Sequence, residues 1–276
     1  MKTEERYNEV DILYTLMTYV NVSSNQDMYY TIAHTILTHL DRIPTIAIND
    51  LADLCYTSPA TISRFCKDLN CKNFASFKKE LALALELARD EIHFDDSDLK
   101  KLEEDPRYLI DKVYNDSIDA LKMGLESVNM FEIDKICRMI HDASKVHFYG
   151  YQFNKIVASN FQLKLLKLKK LIYNFAERGD EIQRLDLIDK DSLVVIMSVS
   201  AKENLIEGLY DKIKDTKAKI LLITLNKSYT NNKLDFIYYL NGKESDYTQS
   251  SLMGSICFES FLNVIYIRYG LLYKGK

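Results

Sequence analysis

Every short, strand-like apolar run in this chain lies after Pro106, and the residues before it read as helix. The runs are VHFYG (146–150), KLIYNF (170–175), SLVVIMS (192–198), KILLITL (219–225) and DFIYYL (235–240). Helical stretches fall between them, near 152–168, 177–185 and 202–214. Strands alternating with helices imply βαβ units and so a parallel sheet. The second half is therefore expected to be α/β, with a doubly wound sheet. Two helices, Tyr108 to Val128 and Phe131 to His141, lead into it. The last segment, Ser251 to Tyr273, reads as one long helix that is apolar all round. Such a helix needs burial, in the domain or against a second subunit.

From Asp11 to Leu87 the apolar residues recur at helix spacing, as in Ile12, Leu13, Leu16, Met17, Tyr19 and Val20, and again in Ile32, Ile36, Leu37 and Leu40. Residues 89–106, RDEIHFDDSDLKKLEEDP, are acidic and poor in large apolar side chains. The expected division is an all-α domain over 1–90, a linker over 91–107 and an α/β domain over 108–276. A length of 276 residues suits two modest domains.

Composition narrows the partners. With 36 basic and 40 acidic residues the net charge is −4, so nucleic-acid binding has to come from a local patch. The five cysteines (Cys55, Cys66, Cys71, Cys137 and Cys257) form no C-x-x-C pair, and no His stands at zinc-finger spacing. Reduced, buried thiols and no metal site are expected, and no cofactor is implied. The N-terminus carries acids among its apolar residues, unlike a signal peptide, and no apolar run approaches a membrane span. A cytoplasmic protein without a membrane partner is expected.

Residues 48–85 carry the most information. Asn49 is positioned to cap a short helix ending near Leu54, and Cys55-Tyr56-Thr57 makes a turn. A second helix then begins, with Ser58 as N-cap and Pro59 at the first helical position. Ile62, Phe65, Cys66 and Leu69 fall on one face; Ala60, Thr61, Ser63, Arg64 and Lys67 are left outward. Small residues at the helix start permit close approach to a duplex. Hydroxyls of Ser58 and Thr61 suit phosphate or a base edge, Arg64 a guanine or phosphate, and Lys67 a phosphate. Between Tyr56 and Glu80 five basic residues, including Lys72 and Lys78, face two acidic ones, a local excess of +3. A plain helical hairpin with a solvated basic face is the competing reading of the spacing.

SPATISRFCKDL followed by CKNFASFKKEL closely resembles the N-terminal domain of the MurR/RpiR family of bacterial transcription regulators. Phe74, Phe77 and Lys78 match that family's Phe-x-x-Phe-Lys element. One residue departs: the family usually has Gly in the turn, where Tyr56 stands. The resemblance implies a helix-turn-helix that binds operator DNA through Ser58, Pro59, Ala60, Thr61, Ser63, Arg64, Lys67, Lys72 and Lys78.

It also implies a C-terminal sugar-isomerase (SIS) domain that binds a phosphosugar-like effector at its strand ends. The family's first SIS loop resembles Phe-Gly-x-Gly-x-Ser; this chain reads FYGYQFN, keeping Gly150 and replacing the rest within Tyr151, Gln152 and Asn154. The phosphate loop resembles Ser-x-Ser-Gly-x-Thr; here SVSAKE keeps Ser198 and Ser200 but has Ala201 and Glu203. A carboxylate at ~4 Å from a phosphate charge opposes it by about 4 kcal/mol at an effective dielectric of ~20. Lys202 stands beside it as a compensating charge. ITLN (223–226) resembles the Ile-Thr-Asn after the next strand, and the final loop offers Thr248 and Ser251. Ser198 and Ser200 are also simple capping residues in any βα unit.

Two readings of this domain stay open: a site that binds a small polar ligand, and a vestigial one in a module that mainly dimerises. An isomerase needs a base, for which His147, Glu203 and Glu259 are available, but no pair stands at a spacing that demands catalysis. The expectation is a regulator of carbohydrate genes, not an enzyme, acting as a homodimer, with further pairing to a tetramer left open.

Overall fold

The protein is described by a computed structural model covering residues 12–22, 27–90, 94, 96–150, 153–174, 183–201, 208–242 and 252–273. The chain divides into two compact units, one built on residues up to Ala88 and the other from Arg89 on.

The first unit is helical: α1 (Ile12–Val22), α2 (Met28–Thr38), α3 (Ile48–Leu54), α4 (Pro59–Asp68) and α5 (Phe74–Asp90). Its core joins Ile12 and Leu16 of α1, Ile32 and Ile36 of α2, Leu51 of α3, and Ile62, Phe65 and Cys66 of α4, all essentially buried. The Phe65 ring meets Tyr19 and Tyr29 at centroid distances of 5.3 and 5.1 Å. Burial of each such side chain is worth about 1.5–3 kcal/mol. Helix α3 begins two residues before the position expected from the sequence. Ala47 is its N-cap and makes no side-chain cap bond, so Asn49 lies inside the helix and does not cap it.

The second unit continues with α6 (Asp96–Glu104), α7 (Tyr108–Glu126), α8 (Met130–Asp142), β1 (Lys145–Gly150), α9 (Phe153–Lys167), β2 (Tyr173–Asn174), β3 (Ser192–Met197), α10 (Leu209–Asp215), β4 (Lys219–Thr224), β5 (Phe236–Tyr239) and α11 (Leu252–Tyr273). Helix α6 occupies part of the segment expected as a linker. Its Asp98 accepts a 2.6 Å hydrogen bond from the Tyr108 hydroxyl and pairs with Lys112 at 3.3 Å, which fixes α6 to α7.

All five described strands run parallel, in the order β2-β1-β3-β4-β5. β3 is buried along its whole length, as a continuous apolar run in a parallel sheet demands. One sheet face (Val146, Phe148, Leu193, Val195, Met197, Leu221 and Ile223) packs against Ile136 of α8, Phe161 of α9, and Phe258 and Phe261 of α11. Strand β2 is only two residues long, although the run 170–175 reads as strand. The backbone groups before Tyr173 are already engaged: Lys170 N–H bonds to Leu165 O as α9 closes, and Ile172 O accepts from Gln162 Nε2 at 2.7 Å. All five cysteines are free and buried. No helix among the described residues is long and apolar enough to cross a membrane.

Candidate functional site

The turn between α3 and α4 is built by backbone bonds. Thr57 N–H reaches Ala52 O at 2.9 Å and Tyr56 N–H reaches Asp53 O at 3.1 Å, the paired bonds of a Schellman motif. That motif requires a left-handed residue after the C-cap, and Tyr56 takes it at φ 51. The same closure ends α4, with Asn70 at φ 60 and Cys71 N–H on Cys66 O. Ser58 caps α4 as expected: its Oγ accepts from Thr61 N–H at 3.2 Å and lies 2.9 Å from Thr61 Oγ1.

Helix α4 turns Ile62, Phe65 and Cys66 inward, with Leu69 at its C-cap also buried, and leaves Ala60, Arg64 and Lys67 exposed. Ser58 and Pro59 are exposed, and Thr61 and Ser63 are half-buried. Lys72 is exposed in the loop after α4. Lys78 differs from the others. Its ammonium donates to Ile46 O at 2.9 Å and lies 5.4 Å from the Phe74 ring centroid, so it ties α5 to the loop before α3. The positive end of the helix dipole, with the exposed Arg64 and Lys67, presents an electropositive edge that suits a phosphate backbone.

In the second unit the sheet order reverses between β1 and β3, one connection leading outward to β2 and the next to β4. Open α/β sheets bind ligands at this switch point, beyond the carboxyl ends of the strands. Those ends are Gly150 and Met197, which pair in register. A Cβ on Gly150 would lie 2.5 Å from both the carbonyl carbon and oxygen of Asn154, so glycine is what lets the first turn of α9 press onto β1. Asn154 is buried there, and its Nδ2 donates to Met197 O at 3.4 Å.

After β3 the chain turns sharply. Ser198 Oγ accepts from Ala201 N–H at 3.1 Å, and Ala201 is left-handed at φ 55. The next loop is tied to this one: Thr224 Oγ1 donates to Val199 O at 3.0 Å and Asn226 Nδ2 to Ser200 O at 2.9 Å. The structure thus brings Gly150, Asn154 and the 198–201 turn to one end of the sheet. Tyr151, Gln152, Glu203, Thr248 and Ser251 lie outside the described residues.

The two described base candidates lie away from this end. His147 is fully buried within β1, stacked 5.1 Å from the Tyr173 ring, and burial holds its pKa down to about 4. Glu259 is exposed on α11 and accepts from Asn160 Nδ2 at 3.1 Å. Sequence reasoning missed Asn174, which ends β2 beside β1 and bonds to the first turns of α9. No motif marks it, since a polar residue closing an edge strand is ordinary.

A capped two-helix turn on a helical core, joined to a doubly wound parallel sheet with a switch point between β1 and β3, defines a two-domain chain of helix-turn-helix plus SIS type. Comparison with known proteins agrees. Residues 23–89 match the helix-turn-helix domain of the rpiR family, and residues 139–256 match the SIS domain. The chain thus carries a helix-turn-helix domain of the rpiR family followed by an SIS domain. It is 22% identical over 237 residues to an uncharacterised HTH-type transcriptional regulator of Caldanaerobacter subterraneus subsp. tengcongensis, covering 86% of this chain and 83% of that one. It is 26% identical over 243 residues to another from Thermotoga maritima, covering 85% and 84%. Its fold is similar to that of the Vibrio vulnificus NanR protein complexed with ManNAc-6P, with a TM-score of 0.51, 16% identity, and coverage of 95% of this chain and 92% of that one.

Proposed function

We propose that this chain is a transcription regulator that binds operator DNA through α3 and α4 and is modulated by a phosphosugar in its SIS domain. The observation that carries the reading is the α4 surface: a Ser58-capped helix start followed by outward Arg64 and Lys67, in a domain of the rpiR type. Ser58, Pro59, Ala60, Thr61, Ser63, Arg64, Lys67 and Lys72 form the duplex-facing edge, and Lys78 supports it through Ile46. Residues 1–90 form the DNA-binding domain, 91–107 the linker and 108–276 the effector domain.

The effector site centres on Gly150, Asn154, Ser198 and Ser200 at the switch point, with Tyr151, Gln152, Glu203, Thr248 and Ser251 completing it. The chain acts in the cytoplasm as a homodimer, whose two recognition helices meet half-sites about one helical turn apart or a multiple of that. It acts as a binding protein and not as an enzyme, a reading supported by the two described base candidates: His147 is buried in the sheet and Glu259 is exposed on α11. A phosphosugar preferring one spacing of the two heads shifts DNA affinity by that preference and by no more.

Arg64→Ala tests the reading. It is expected to weaken duplex binding by about 1–3 kcal/mol while leaving the far-UV circular dichroism of the protein unchanged. Unaltered duplex affinity removes Arg64 from the interface.

A further inference from the structure

Two buried polar atoms near the switch point have no partner among the described residues: Asn154 Oδ1 and Asn174 Oδ1. Buried polar groups are almost always paired, so each exception asks for an explanation. The orientation of both carboxamides is fixed by their neighbours. Asn154 faces Met197 O, which only accepts, so the atom placed there is Nδ2. Ser159 Oγ spends its proton on Lys155 O at 3.0 Å and so accepts from Asn174 at 2.7 Å, which again requires Nδ2. Asn174 Nδ2 also reaches Lys155 O at 3.3 Å, one residue beyond Asn154. The two carboxamides therefore belong to the same first turns of α9, one against the end of β3 and one at the end of β2. What each has left over is an acceptor.

We propose that Asn154 and Asn174 form the hydroxyl-reading end of the effector site. The proposal rests on the reading above that this site takes a phosphosugar. Phosphate oxygens are acceptors and gain nothing from an amide oxygen. Sugar hydroxyls, or the N–H of an acylamino group, donate to it. The two asparagines thus select the sugar and not its phosphate, which falls to the Ser198–Ala201 turn. Asn174 is a specificity residue supplied by the edge strand.

The test is isothermal titration of the full chain with hexose 6-phosphates, pentose 5-phosphates, ManNAc-6P and inorganic phosphate. Asn154→Ala and Asn174→Ala should each weaken binding of the best phosphosugar about tenfold, the worth of one hydrogen bond near 1.4 kcal/mol. Inorganic phosphate should bind both variants as it binds the wild type. Deoxy analogues of that phosphosugar give a second reading that needs no variant: at least one deoxy position should weaken wild-type binding by a similar factor. Phosphosugar affinity unchanged in both variants, a parallel loss of inorganic phosphate, or indifference to every deoxy position would overturn the proposal. If no phosphosugar binds the wild type, the effector reading fails and this proposal fails with it.

Discussion

Each half of the chain places a side chain where the backbone turns left-handed, Tyr56 at φ 51 in the helical unit and Ala201 at φ 55 beside the switch point. Glycine is the cheapest residue for either position; an L side chain costs about 1–2 kcal/mol there. The surroundings differ. Tyr56 is 91% exposed, and the two backbone bonds that close its turn are made, so its cost is conformational only. Ala201 is 1% exposed and held by Ser198 Oγ, so its methyl is part of the packing at the site. The difference teaches that hydrogen bonds on either side set the turn, and the residue occupying it decides what surface is shown. In the DNA-facing half that surface gains an aromatic ring; in the effector half it gains a methyl where a phosphate loop would keep bare backbone.

The strongest way to break the comparison is to remove one core and watch the other. Phe65→Ala should cost the helical unit about 3–5 kcal/mol. In calorimetry its transition should fall while that of the sheet unit stays put; a joint shift would mean that the halves unfold as one. Next in size is the pH response of the sheet unit. His147 is depressed to about 4 when folded, against an ordinary 6.5, so the unfolded chain binds the proton first. Stability is complete above pH 6.5 and falls by about 3 kcal/mol as pH drops to 4. Urea midpoints at pH 7 and 4.5 read this directly, and His147→Phe should flatten the difference.

Gly150→Ala should then cost about 1–3 kcal/mol, because its methyl meets Asn154 backbone that cannot retreat. Phosphosugar binding should be lost with it, and unimpaired binding would show that α9 is free to shift. The smallest effects sharpen the opening contrast. Tyr56→Gly should stabilise by about 0.5–1 kcal/mol, the relief of φ partly offset by a freer unfolded chain, whereas Ala201→Gly also gives up a buried methyl worth about 0.8 kcal/mol and should leave stability nearly unchanged. Only Ala201→Gly should also alter phosphosugar affinity.

Much of this was legible beforehand because periodicity reports burial. The five strand runs, the Ser58 cap and the inward face of α4 follow from spacing and local capping chemistry. Three features were not. Asn49 is a good cap by residue type, but the helix starts where Ile48 and Leu51 reach the core, leaving Ala47 as the cap. The acidic stretch before Pro106 reads as solvated, yet Asp98 is buried by Tyr108 and Lys112, ten and fourteen residues on. Asn174 is held by the first turns of α9, which pack across β2, a contact no local pattern encodes.

The most direct test of the account is fluorescence anisotropy of the full chain on the duplex that precedes its own gene, across a salt series, with and without the phosphosugar panel. Affinity should fall steeply and linearly on a log–log salt plot as counterions are released. At fixed salt it should change several-fold with at least one phosphosugar and not with inorganic phosphate. Duplex binding that ignores every phosphosugar would contradict the account.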